Sequence, residues 1–191
     1  MKITTITLAG TVTLAALVVV FDYALKYSNL KIPFPWLPFL KFDFTGIPIV
    51  LSFLFFGLVP GTITSVVASI AILARSGDII GSSMKGLAEF STIAGMAIGF
   101  KVSTKLKTAS SYATGITTRV IVMMAANLSL IYAGLIVLPT AYTSIPLTVT
   151  LLLGAFNVAQ GTISIIVGYS LYEAIKRRVP TLIRKPEKPS S

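Results

Sequence analysis

The chain has 191 residues, 54% of them apolar and 12% charged, with a net charge of +10 and a mean hydropathy of +0.88. A soluble domain carries about twice that charged fraction. The chain contains neither cysteine nor histidine, which excludes disulfides, thiolate or imidazole metal sites, a cysteine nucleophile and the commonest general base.

Residues 3–21 hold no charge, and 120–172 hold no ionisable group apart from tyrosine. A spanning helix needs about 20 apolar residues, so the chain accommodates several spans and no separate soluble domain. Helices are predicted over 3–26, 46–58, 60–75, 86–101, 114–138 and 148–175. The first is too long for a signal core, and Phe21-Asp22-Tyr23 offers no cleavage site, so it reads as a retained span. On it, Ala9, Thr13 and Ala16 share one face and Thr11 and Ala15 another, small-residue stripes that admit a neighbouring helix.

The next segment, 29–44, reads NLKIPFPWLPFLKFDF. Phe34 and Trp36 stand among three prolines, and Phe39, Phe42 and Phe44 follow. Two readings are open: faces that stack on a flat ligand ring, or an aromatic belt at the membrane interface. Lys41 and Asp43 are expected to pair with each other or with backbone ahead of the next helix, where the dipole favours a carboxylate. Residues 46–74 are uncharged, but 57–61 (Gly-Leu-Val-Pro-Gly) breaks them into two short helices.

The positive charges test the number of spans. Six spans with the N-terminus inside put eleven Lys and Arg inside, Arg119 and the 101–107 loop among them, and five outside. Five spans with the N-terminus outside give thirteen and three, which the positive-inside rule slightly favours. The break at 57–61 favours six.

Polar residues in the later spans are the candidate site. Lys85 and Glu89 lie four apart and can form a surface ion pair of little value, although an ionisable group such as Glu89 one turn into a span is a functional hypothesis by default. Asn127 is the lone amide of the fifth span. Gly154, Asn157, Gln160, Gly161, Ser164 and Gly168 line one face of the sixth. Site lining is the better reading for Gln160 and interhelical bonding for Asn157, since amides in hydrocarbon need partners. The tail from 179 is basic, proline-containing and expected to be flexible.

Leu40-Lys41-Phe42-Asp43-Phe44, followed by Ile47-Pro48 and the 57–61 break, is similar to the L-K-x-D-F-x-x-I-P stretch of the substrate-binding S components of energy-coupling factor (ECF) vitamin transporters. Phe156-Asn157-x-x-Gln160-Gly161 looks like their F-N-x-x-K-G segment, and the riboflavin-binding type is the most similar. The resemblance covers nearly the whole chain. It implies an all-α membrane protein, a bundle of six transmembrane helices with N- and C-termini cytoplasmic, in a prokaryotic plasma membrane. Residues 1–178 would form the substrate-binding domain and 179–191 a basic cytoplasmic tail. A vitamin would bind near the external face beneath the loop joining the first two helices.

In riboflavin-binding members an asparagine of the fifth helix and the lysine of F-N-x-x-K-G contact the ligand; here these positions look like Asn127 and Gln160, the latter an uncharged amide in place of lysine. Glu89-Phe90 stands where members often have Asn-Phe. The expected substrate-binding set is Phe42, Asn127, Gln160, Asn157, Glu89, Lys85 and Trp36. Ala9, Thr11, Ala15 and Ala16 approximate the alanine-rich motif that meets a transmembrane coupling subunit. Two partner ATPases would supply the energy, because the chain has no G-x-x-x-x-G-K-[ST] segment. No catalytic residue, metal, cofactor or nucleic-acid partner is expected. An intramembrane enzyme would be short of ionisable groups, and a self-sufficient carrier would be expected to show an internal repeat.

Overall fold

A computed structural model describes residues 4–103, 105–136 and 146–179. The expected turn at Pro139 and the tail from 180 lie outside the described residues. Six helices and one small hairpin make up the described chain. Helix α1, Thr5–Tyr27, starts at Thr4, whose hydroxyl accepts a hydrogen bond from Thr7 N at 3.3 Å. Its buried residues are Thr11, Ala15, Val18 and Asp22, spaced by three and four so that they form one stripe against the bundle.

Between α1 and α2 lies an antiparallel hairpin that was not expected from the sequence. Its strands are β1, Pro33–Phe34, and β2, Leu37–Lys41. A two-stranded ribbon has a free edge on each strand, where a proline costs no ladder bond.

Helices α2, Gly46–Phe56, and α3, Leu58–Ser76, fold back on each other. Thr64 Oγ1 donates to Ser52 Oγ at 3.0 Å, although the two residues are 12 apart and would be about 18 Å apart on a straight helix. The reversal occurs at Gly57, with φ +94° and ψ −173°, a region open essentially to glycine alone. Every residue from 46 to 53 is buried, so α2 is an interior helix, apolar all round. At 11 residues it is about 16 Å long, too short to cross a bilayer unaided. Four helices, α1, α3, α5 and α6, are long and apolar enough to cross. Helix α4, Ile79–Val102, has the length but carries Lys85, Glu89 and Lys101.

Two helices begin about two turns before their expected starts. Asp78 caps α4, accepting from Gly81 N at 2.8 Å. Helix α5, Lys107–Tyr132, starts among serines and threonines that resembled loop. Their hydroxyls bond the preceding helix instead: Ser110 to Gly99 O at 2.8 Å and Thr114 to Gly95 O at 2.7 Å. Glycine at 95 and 99 permits this approach, since a Cβ at 99 would stand 2.5 Å from Ser111 Cα. As a result Arg119, expected near the inner end of its span and counted with the inside charges, lies at the middle of a helix and is buried.

Helix α6, Pro146–Arg178, is the longest. The common core joins Val18, Ile49, Val50, Phe53, Ala68, Ile93, Met96 and Ile165. At the hairpin end, Asp22 of α1 is held by Arg75 Nε at 2.6 Å and Lys31 Nζ at 2.7 Å, tying α1, α3 and the start of the hairpin segment together.

Because the Gly57 backbone excludes a Cβ and also excludes the left-handed conformation asparagine tolerates, both Gly57→Ala and Gly57→Asn are expected to cost about 1–3 kcal/mol. Thermal unfolding in detergent checks this; melting temperatures equal to that of the parent chain would contradict it.

Candidate functional site

The hairpin is fastened to α6 by apolar burial. Phe34 and Leu37 are buried against Val149 and Leu153. Ring centroids of Phe34, Phe42 and Phe156 lie 5.2–5.8 Å from one another, an edge-to-face and tilted cluster of the kind that adds to simple area burial. Trp36 sits on the rim, its ring 5.1 Å from Phe34 and 61% of its surface exposed.

After β2 the backbone turns into the bundle. Gln160, about 21 Å along α6 from its start, meets it there. Its Nε2 donates to Asp43 O at 2.8 Å and its Oε1 accepts from Asp43 N at 3.3 Å. One side-chain amide thus satisfies both polar groups of a residue outside any helix or strand, which a membrane bundle requires.

The Asp43 carboxylate accepts from Thr45 N and Thr45 Oγ1 at the entrance of α2 and from Lys85 Nζ at 2.9 Å. Burial pushes this carboxyl up, but the Lys85 ammonium and the Thr45 hydroxyl more than offset it and hold it below its ordinary 3.8. Lys85 also donates to Glu89 Oε1 at 2.7 Å, and Arg119 Nη1 lies 3.3 Å from the same oxygen. The expected surface pair of Lys85 and Glu89 is therefore part of a buried four-residue network, and the partner of Asp43 is Lys85 rather than Lys41. Glu89 Oε2 is buried with no hydrogen bond among the described residues. It faces Gly46, where a Cβ would stand 2.7 Å away, so the positive end of the α2 dipole is its nearest support.

A cavity of about 520 Å³ lies between β2, the start of α4, the second half of α5 and the first half of α6. That volume suits a small organic ligand. Phe39, Phe156, Met84 and Met123 supply apolar wall; Asp43, Lys85, Arg119, Asn127, Asn157 and Gln160 supply the polar groups. Of the residues singled out from sequence, Lys85, Asn127, Asn157 and Gln160 line it. Phe42 and Trp36 are outside the lining, with their rings against Phe34 and, for Phe42, Phe156. Glu89 lies behind the wall. Both ends of the Gln160 amide are engaged by Asp43, and Asn157 bridges Arg119 Nε (3.1 Å) and Leu153 O (2.9 Å).

Arg119 was missed as a site residue, yet the signal existed: a guanidinium six positions inside a predicted span is expensive there unless it faces the bundle and finds partners. On α1, Thr11 and Ala15 are turned into the bundle while Ala9 and Ala16 are exposed. A second, apolar groove of about 340 Å³ runs between α1 and α3, with Thr11, Ala15 and Ala16 on its α1 side.

No family model matches the sequence, and no curated protein matches it. Among solved structures, one described as "Structure and mechanism of the S component of a bacterial ECF transporter" matches with a TM-score of 0.65 at 26% identity. The match covers 91% of this chain and 96% of that one. The chain is thus a multi-pass helical membrane protein similar, across nearly its full described length, to the S component of an ECF transporter.

Two outcomes follow from the Gln160 and Asp43 contacts. Gln160→Leu orphans a buried N–H and a buried C=O, at about 1–3 kcal/mol per group, and hydrogen exchange at residues 42–45 is expected to accelerate; unchanged protection would contradict the clamp. Because the folded Asp43 value is depressed, its contribution is present at neutral pH and is lost as pH falls through and below the ordinary value. The melting temperature should hold from about pH 8 to 5 and drop below about pH 4, with a shallower drop in Asp43→Asn. An equally steep drop in that variant would refute the assignment.

Proposed function

We propose that this chain is the substrate-binding S component of an ECF transporter, taking a vitamin from outside a prokaryotic plasma membrane for ATP-driven uptake by partner subunits. The observation that carries the reading is the cavity beneath a clamped hairpin, in a chain similar throughout to an S component. All six helices then contribute to the crossing, with both termini cytoplasmic and the hairpin outside. Short α2 completes a path that the loop around Asp43 has already begun.

The ligand we favour is riboflavin or a related planar heterocycle. Phe39 and Phe156 offer apolar faces to a flat ring, and Asn127 offers an amide. Gln160 and Asn157 act here by holding the roof and Arg119, and Lys85 and Glu89 by fixing the loop. The partners are a transmembrane coupling subunit and two ATPases. The exposed edge of α1 at Ala9 and Ala16, with the groove it shares with α3, is the face offered to the coupling subunit. Another vitamin or precursor, such as a thiamine precursor, pantothenate or folate, is the second reading of the ligand. A self-sufficient carrier is the second reading of the function.

Protein purified from cells supplied with riboflavin is expected to quench flavin fluorescence on binding; a colourless preparation without quenching rejects that ligand. In liposomes the isolated chain is expected to bind without transporting, and uptake by the chain alone would overturn the S-component reading.

A further inference from the structure

The ionisable groups around the cavity balance. Among the described residues, Lys41, Lys85 and Arg119 line it against Asp43 and Asp78, and Glu89 stands directly behind, paired with Lys85 and Arg119. That makes three positive and three negative side chains. The segment 137–145 between α5 and α6 contains no Asp, Glu, Lys or Arg, so it leaves the count unchanged. An ion entering a site whose charges already cancel gives up its hydration without gaining an unpaired countercharge. A neutral molecule with strong dipoles has no such penalty.

The wall also keeps donors and acceptors for such a molecule. Arg119 is 1% exposed. Its Nε donates to Asn157, and its Nη1 to Thr92 Oγ1 at 3.0 Å and Ala88 O at 3.4 Å. Its Nη2 makes no hydrogen bond among the described residues and is not a fully enclosed unpartnered atom, which Glu89 Oε2 is, so this N–H keeps an opening to the cavity that Arg119 lines and is free to donate there. Two turns along α5, Asn127 Nδ2 donates to Met123 O at 2.7 Å, which leaves the Asn127 carbonyl oxygen as the acceptor toward the cavity it lines.

We propose that the cavity selects an electrically neutral ligand, fixed through a carbonyl or ring-nitrogen acceptor on Arg119 Nη2, with Asn127 accepting from a ligand N–H or O–H. This rests on the reading of the chain as a ligand-binding subunit and names the class of ligand that subunit takes. Arg119 is then the residue that sets specificity.

The test is a panel on the wild-type protein in detergent: riboflavin as neutral probe, riboflavin 5′-phosphate and pantothenate as anions, thiamine as cation. Mass spectrometry of any compound that co-purifies accompanies it. The neutral probe, or a neutral co-purifying compound, is expected to bind about tenfold or more tighter than the ionic ones. An ion as the tightest ligand overturns the inference, while the S-component reading stands if the chain binds that ion without moving it. A neutral ligand carried across liposomes by the chain alone does the reverse. No bound molecule of any kind counts against both.

Arg119→Lys retains the cation beside Glu89 and removes the fork. It is expected to weaken the neutral ligand by about 10- to 100-fold and to narrow its advantage over the 5′-phosphate, a ratio that a merely structural role would not move. An unchanged ratio with a folded variant contradicts the proposal, and if the variant does not fold the wild-type panel decides.

Discussion

The fold depends on how a stretch of non-helical backbone is held inside a helical bundle. At Asp43 the chain has left its hairpin and has not begun α2, yet it is buried at the level of Gln160, well inside α6. Water is not there to satisfy its N–H and C=O, and a single side-chain amide does so instead. This contact fixes the position of the Asp43 carboxylate, which in turn receives Lys85 and presents two acceptor bonds to the start of α2. The roof, the entrance of the buried helix and the charged floor are therefore consequences of one pairing.

The hairpin segment is anchored at both ends by charge and in the middle by aromatic packing. Lys31 and Arg75 hold Asp22 at its beginning, Lys85 holds Asp43 at its end, and Phe34, Phe42 and Phe156 pack between. Buried ion pairs of this kind add little net stability compared with apolar packing, but they are unforgiving of a missing partner. Their effect here is to fix the geometry of the hairpin over the cavity.

Much of the architecture was legible because membrane spans announce themselves by length and apolarity. The reversal at Gly57 was legible because proline and glycine leave few alternatives. Three features were not. The hairpin was hidden by prolines, which a two-stranded ribbon tolerates at its edges. The starts of α4 and α5 were hidden because Gly, Ser and Thr read as loop, whereas here they bring two helices into close contact through hydroxyl-to-carbonyl bonds. The role of Arg119 was hidden by the late start expected for α5, which put it near the inner end of the span, where it was counted with the inside charges. Lys85 and Glu89 were visible as a pair, but their third and fourth partners lie 42 and 30 residues away in sequence, and only the fold brings them together. Trp36 and Phe42 were reasonable stacking faces by composition, yet their rings pack against the hairpin and α6.

The central claim is that the cavity beneath the hairpin faces the outside and is filled by the ligand. The chain has no cysteine, so Met84→Cys places a single thiol in the cavity wall. On intact cells an impermeant thiol reagent is expected to label it from outside, and ligand is expected to block the labelling. Labelling only from the cytoplasmic side, or at the same rate with ligand bound, would contradict the account.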